Sequence, residues 1–255
     1  MKWALVTGAS KGIGEAIARE LSGLGWRLVL VARTEELLRQ RLQELGGEQK
    51  HRIFVSDLTI PAERERLYAF IENENIEISA LVNNAGFGSN GPFSEQDRKR
   101  ELRQIELNIS ALVDLSHLFL GQLRKNEGYI LNIASTAGFQ PGPYMAVYYA
   151  TKSFVLHFSE ALAIELKSTG VSVTAHCPGA TESEFGKVSG NEESLLFALR
   201  VMDREIVAKH AVRAMLSRKR VAIPGWTNWL VAKSVAFLPR STVLFFAKQL
   251  NQPRS

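Results

Sequence analysis

The sequence predicts an α/β fold: a doubly wound parallel sheet of about seven strands with helices on both faces. Three observations predict it. Short β-branched runs alternate with longer amphipathic stretches over most of the chain. A glycine-rich turn separates the first such run from the first amphipathic stretch. No linker rich in proline, glycine or serine divides the 255 residues, and no repeat stands out, so one domain over 1–255 is expected.

The elements follow in order. Strands are expected at Trp3–Thr7, Leu28–Ala32, Arg52–Ser56, Ala80–Asn83, Tyr129–Ala134, Val171–His176 and Val221–Ile223. Between them, Ile13–Leu24 carries Ile13, Ile17, Leu21 and Leu24 at helical spacing. Glu35–Leu45 repeats the pattern with Leu37, Leu38, Leu42 and Leu45. Pro61–Glu74 opens on a proline, whose missing N–H costs little in a first turn. Glu95–Leu123 reads as two helices or one long bent one, and Ala146–Lys167 as a long helix. An irregular substrate cap at about 180–200 and a helical tail at about 226–250 complete the domain.

Composition narrows the function. Apolar residues make up 45%, and 31 Lys and Arg against 26 Asp and Glu leave a formal charge of +5. The cations are spread along helices, so no nucleic-acid partner is expected, whereas an anionic small ligand fits. A lone Cys177 forms no disulfide within the chain, and the five histidines have no metal-ligand spacing, so no metal is expected. The apolar run at Trp3–Val6 is too short for a signal peptide, which points to the cytoplasm. The apolar C-terminal region is interrupted by Lys233, Pro239, Arg240 and Lys248 and is too short to span a membrane. It reads as helices covering the core, a subunit interface or a substrate lid, ahead of a peripheral membrane contact.

Gly8, Gly12 and Gly14 lie at the first strand-to-helix turn. Glycines there let backbone approach a pyrophosphate, and the helix N-terminus offers free N–H groups. The turn therefore points to a dinucleotide. An acid at the end of the second strand would bind the ribose 2′-hydroxyl, but Ala32 stands there and Arg33 follows. Lys11 lies in the turn. Two cations and no acid favour a 2′-phosphate, hence NADP(H) over NAD(H). Asp57 ends the third strand, where it suits an adenine amino group with Leu58 against the ring; a helix N-cap ahead of Pro61 is the alternative.

Tyr144, Tyr148 and Tyr149 crowd upstream of Lys152. Residues four apart share a helix face, which pairs Tyr148 with Lys152 and leaves Tyr149, three away, possible by geometry. An ammonium beside a phenol lowers its pKa towards the working range of an acid/base. Ser135 ends one strand, Asn83-Asn84-Ala85-Gly86 ends another, and Asn108 interrupts an apolar helical stretch. Both strand ends lie on the carboxyl edge, where ligands bind in open α/β sheets.

Together these residues resemble the short-chain dehydrogenases/reductases over nearly the whole chain. The matches are Thr7-Gly8-x-x-x-Gly12-x-Gly14, Asp57, Asn83 to Gly86, Asn108, Ser135, Tyr148-x-x-x-Lys152 and Pro178-Gly179, in the family's order. The resemblance implies a Rossmann-type fold and hydride transfer between a nicotinamide and a carbonyl or alcohol carbon. It implies Tyr148 as acid/base, Ser135 as orienting group, Lys152 as the residue that lowers the Tyr148 pKa and bonds the ribose, and Asn108 as holder of a relay water. It implies a cofactor site of Gly8, Ser10, Lys11, Gly12, Ile13, Gly14, Arg33, Asp57, Leu58, Asn84, Ala85, Gly86, Tyr148, Lys152, Pro178, Gly179 and Thr181. By this reading Tyr149 packs and Tyr144 lines the substrate mouth. Ser183 departs from the family, where threonine is common. Candidate pocket residues are Phe87, Phe139, Gln140, Tyr144, Phe185 and Leu195-Leu196-Phe197, which suit a lipophilic ketone or 3-oxoacyl substrate. The alternatives are an NAD-dependent alcohol dehydrogenase on the same site and a non-catalytic dinucleotide sensor. A homodimer or homotetramer is expected by analogy.

Overall fold

Trp3–Thr7 (β1), Arg27–Ala32 (β2), Arg52–Val55 (β3), Ile78–Asn83 (β4), Tyr129–Ile133 (β5), Ser172–His176 (β6) and Val221–Ala222 (β7) form one sheet, in the order β3-β2-β1-β4-β5-β6-β7. Every pairing is parallel. This is a computed structural model, which describes residues 2–182, 184–190 and 201–252. The order reverses between β1 and β4. Chains leaving β1 and β4 therefore diverge to opposite sides and open a crevice at the carboxyl edge.

Alternation along each strand divides the core into two layers. Ala4 and Val6 of β1 face one layer, with Leu28, Leu30, Val82 and Leu131. Helix Gly12–Gly23 (α1) covers it through Ile17 and Leu21, with Leu38 of Glu35–Glu44 (α2) and beside the Arg204–Leu216 helix, which adds Val212 and Met215. Leu5 faces the other layer with Val29, Val31, Leu81, Ile130 and Val173, under Leu67 and Ile71 of Pro61–Asn73 (α3) and Leu115 of Ala111–Leu118. Strands buried on both faces explain the continuous apolar runs in the sequence.

Local chemistry sets the helix starts. Pro61 occupies the first turn of α3. Asp97 caps Arg98–Ile105 by accepting from the N–H groups of Lys99 and Arg100. The stretch expected as two helices or one bent one is more broken than that. A 3₁₀ turn at Phe93–Glu95 precedes Arg98–Ile105, a π-helical turn at Glu106–Ser110 joins it to Ala111–Leu118, and Leu120–Lys125 follows. The long helix is Ala146–Glu165. Of the expected cap, the helix Phe185–Ser189 is described, while Leu195, Leu196 and Phe197 lie outside the described residues, as does Ser183. The tail forms the helices Trp226–Ser234 and Arg240–Asn251, separated at Pro239. No described helix is long and apolar enough to cross a membrane.

Candidate active site

A cleft of about 800 Å³ lies along the carboxyl edge of the sheet at the reversal point. Its floor is the glycine turn after β1. Gly8 and Gly12 take φ of +65° and +61°, the left-handed region that glycine enters without strain. Gly14 is used differently. A Cβ on Gly14 would lie 2.3 Å from the Gly8 carbonyl oxygen and 2.3 Å from Asn84 Nδ2. It stays out of the cleft wall, and its missing side chain lets α1 press onto the turn. Lys11, the N-cap of α1, makes no side-chain cap bond, so first-turn N–H groups face the cleft without a cap. Gly8, Ser10, Lys11, Gly12 and Ile13 all line it.

Thr7 and Asn84 fasten the turn to the loop after β4. The Thr7 hydroxyl donates to Val82 O and accepts from the N–H groups of Asn84 and Ala85. Asn84 Nδ2 donates to Thr7 O at 2.9 Å. Asn84 thus braces the turn while its loop, with Ala85 and Gly86, forms part of the wall.

At the end of β2, Ala32, Arg33 and Thr34 line the cleft with Lys11. Arg33 is exposed. Lys11 Nζ lies 4.0 Å from Glu184 Oε2 across the cleft. Beyond them Asp57 and the buried Leu58 complete this side. Asp57 is no N-cap of α3, whose N-cap is Ile60. Its Oδ1 accepts from the Thr59 N–H and hydroxyl, and its Oδ2 from Arg103 at 2.9 Å. Burial pushes this carboxyl up, but the Thr59 hydrogen bonds and the Arg103 and Arg33 charges outweigh it and hold the pKa below the ordinary carboxylate value.

Asn108 lies behind the cleft wall. It is 2% exposed, sits in the π-helical turn and does not line the cleft. Its Oδ1 accepts from Phe87 N, and its Nδ2 donates to Phe87 O and to Thr151 Oγ1. With those partners its side chain clamps the loop after β4 to helix Ala146–Glu165. The inserted residue of the π turn is what aims it there.

Ser135, Tyr148 and Lys152 stand at the opposite wall. The Ser135 hydroxyl stands beside the Tyr148 phenol. It accepts from Ala137 N at 3.1 Å, which fixes its rotamer. Pro178 O accepts from Thr136 N at 2.9 Å, so the strand ends of β5 and β6 move as one. Pro178, Gly179 and the buried Thr181 form the far rim, where the Thr181 hydroxyl donates to Gly179 O.

Tyr148 and Lys152 are neighbours, with Nζ 5.8 Å from the ring centroid, but the expected pKa relation is absent. Lys152 Nζ donates instead to Ile133 O at 2.7 Å. Burial raises the Tyr148 phenol, against a smaller opposing effect of the Ser135 hydrogen bond. Burial also draws Lys152 down to about 8. The physical reason is that burial strips Lys152 of its proton below the range in which the raised phenol ionises, so no ammonium is there to stabilise the phenolate.

Tyr149 does more than pack. Its hydroxyl donates to Asn251 Oδ1 at 3.1 Å, and Asn251 Nδ2 donates to Pro143 O. Asn251 O in turn accepts from Asn90 Nδ2. The fully buried Asn251 therefore ties the last helix to helix Ala146–Glu165 and to two loops. An Asn251→Leu variant is expected to lose about 1–3 kcal/mol of stability, because the buried phenol and Pro143 carbonyl lose their partners; chemical denaturation checks this, and an unchanged midpoint contradicts it.

Of the pocket candidates, Phe87, Gln140 and Phe185 line the cleft. Phe139 packs into the core beside Leu112, Ala134 and Val155. Tyr144 lies outside the wall, at a φ of +65°. The wall residues that sequence reasoning missed include five from the tail, Thr227, Asn228, Val231, Ala232 and Leu250, besides strand-end and loop residues such as Met145 and Glu184. Gly179 makes room for one of them, since a Cβ there would lie 2.8 Å from the Asn228 amide.

Residues 2–194 match the family model described as short chain dehydrogenase. The chain belongs to the short-chain dehydrogenase family. Among its relatives in that family, a very-long-chain 3-oxoacyl-CoA reductase from Anas platyrhynchos is 36% identical over 197 residues. The match takes in 73% of this chain and 62% of that protein, so it leaves more than a third of the relative unmatched. A short-chain dehydrogenase from Sphingobium yanoikuyae, solved in complex with NADPH, superposes with a TM-score of 0.82 at 32% identity, over 93% of this chain and 94% of that one. A 3-ketoacyl-(acyl-carrier-protein) reductase from Brucella melitensis, complexed with NADH, gives 0.77 at 25% identity over 87% and 95%. The doubly wound sheet of this short-chain dehydrogenase is thus the family's own architecture.

Proposed function

We propose that the chain is an NADP(H)-dependent reductase of lipophilic ketones, with 3-oxoacyl compounds as the favoured class. The observation that carries this reading is the Tyr148 phenol beside Ser135, four residues from a buried Lys152, in the cleft at the reversal point of the sheet.

The residues present fit a nicotinamide dinucleotide. Gly8 and Gly86 bring backbone to the cleft wall because neither has room for a Cβ, which would lie 2.7 Å from Asn84 Nδ2 and 2.9 Å from Asn108 Oδ1 respectively. The uncapped N-terminus of α1 suits a pyrophosphate. Lys11 and Arg33, with no acid at the end of β2, suit a 2′-phosphate. Asp57 and Leu58 would take the adenine, Ile13, Ser10 and Gly12 the pyrophosphate, and Pro178, Gly179 and Thr181 the nicotinamide side. When bound, the nicotinamide supplies the hydride and its electron pair to the carbonyl carbon.

The protein supplies the proton. Tyr148 donates it to the substrate oxygen as negative charge develops there, and Ser135 donates a hydrogen bond to the same oxygen. Lys152, drawn down to about 8, takes and returns a proton near neutral pH and so restores the phenol. Phe87, Met145, Phe185, Val231 and Leu250 give the wall an apolar character that suits an acyl chain or bulky ketone. The substrate classes named for the Anas and Brucella relatives support the same preference.

Loss of NADPH absorbance with a panel of acyl-thioesters, aldehydes, steroids and hydroxy acids tests the proposal. Turnover of a 3-oxoacyl thioester is expected; no turnover of any carbonyl with either dinucleotide overturns it. Arg33→Asp is expected to weaken NADPH by about 10–100-fold, the worth of one charged hydrogen bond, while sparing NADH. Equal weakening of both dinucleotides contradicts the cofactor assignment. Assembly as a dimer or tetramer, which would cover the 39%-exposed Phe154 stacked on Phe158, is proposed alongside and is read by light scattering.

A further inference from the structure

The last two helices turn one face to the cleft and leave the other uncovered. In Trp226–Ser234, Trp226, Trp229 and Leu230 are 74%, 51% and 53% exposed, at positions i, i+3 and i+4 of one face. Phe237, in the turn that follows, is 87% exposed. In Arg240–Asn251, Leu244, Phe245 and Phe246 are exposed while Val243, Ala247 and Asn251 are buried. Both helices are therefore docked through their inner faces, and the outward aromatics are not the result of a helix lying loose. Two of the chain's four tryptophans stand on this surface.

Charge distinguishes the surface from an ordinary apolar patch. Lys233, Arg240 and Lys248 are exposed within it. No Asp or Glu occurs after Glu205, so these cations have no acid in their own segment.

We propose that this surface docks on an anionic lipid bilayer and lies in its interface without crossing it. Helices of 9 and 12 residues fall well short of the roughly 20 that span a hydrocarbon core. Tryptophan and phenylalanine settle at the headgroup level, and nearby lysine and arginine meet the lipid phosphates. A second copy of the chain is a poorer occupant. A two-fold contact would set this acid-free cationic segment against itself, whereas an anionic surface complements it. Val231, 56% exposed yet part of the cleft wall, is where the outer surface meets the cleft.

Cosedimentation of the full chain with sucrose-loaded vesicles tests this. Binding to phosphatidylcholine–phosphatidylglycerol vesicles, weaker binding to pure phosphatidylcholine and a blue shift of tryptophan emission are expected. The triple variant Phe237→Ser/Phe245→Ser/Phe246→Ser and the triple variant Lys233→Glu/Arg240→Glu/Lys248→Glu should each reduce partitioning at least about tenfold, given the contribution of each cation near an anionic surface. Both change only exposed side chains, so their thermal midpoints should match the parent's. Absence of binding to anionic vesicles overturns the proposal, as does equal binding by the variants. Variants that dissociate a dimer with no lipid binding by the parent overturn it in favour of a second copy.

Discussion

Tyr148→Phe is expected to lower kcat by about 10²–10⁴-fold, the range typical of losing a positioned proton donor. The substitution removes one hydroxyl and leaves the ring, which packs on Phe185 at a centroid distance of 4.9 Å and against Tyr149 at 6.1 Å. Dinucleotide affinity, read by fluorescence titration, should therefore stay within a few-fold of the parent while turnover collapses. A Tyr149→Phe variant serves as the contrast. It loses a hydrogen bond to Asn251 and some stability, but not the proton donor. Parent-like turnover in Tyr148→Phe, or equal loss of turnover in the two variants, contradicts the assignment.

Gly14→Ala should be the most damaging conservative substitution in the cofactor region. In an ordinary helix, alanine is better than glycine by about 1 kcal/mol. Here the added Cβ would stand 2.3 Å from the Gly8 carbonyl oxygen, which belongs to the backbone of the turn. Its other neighbour, Asn84 Nδ2, is held by Thr7 O and Gly8 O. Neither can step aside alone, so α1 must lift from the turn. A loss of about 2 kcal/mol or more is expected, in the range of overpacked sites. In a chain of this size that lowers Tm by roughly 4–8 °C. Dinucleotide binding should weaken in parallel, because the uncapped N–H groups of α1 move with the helix. Thermal unfolding with and without NADPH measures both, and a variant as stable as the parent refutes the close-packing role.

Much of this architecture was legible because parallel strands buried on both faces announce themselves as apolar runs. Each of the seven expected strands is present within two residues of its expected bounds. The glycine turn, the strand ends carrying Ser135 and Asp57, and the Tyr148 and Lys152 pair could be placed because strand order and helix spacing determine where they emerge. What stayed hidden depends on contacts distant in sequence. The π turn at Glu106–Ser110 adds one residue to a helix whose apolar spacing already tolerates slippage, so the side-chain partners of Asn108, Phe87 and Thr151, were not legible. The buried chain from Asn83 to Asn132 to Ser159 spans two strands and a helix, and single asparagines in apolar runs do not reveal each other. The direction of the Tyr148 shift was misjudged for a similar reason. Spacing shows that a lysine is near a tyrosine, but not how deeply the fold buries both groups.

The tie at Asn251 bears on how the molecule comes into being at the ribosome. Tyr149 and its acceptor lie 102 positions apart, and Asn90 waits 161 positions for the same residue. Pairings so distant close late, after the entropy of a long loop has been overcome. A nascent chain can assemble the first six strands while Tyr149 still lacks its mate, and the pocket acquires its last wall only when the final helix has emerged.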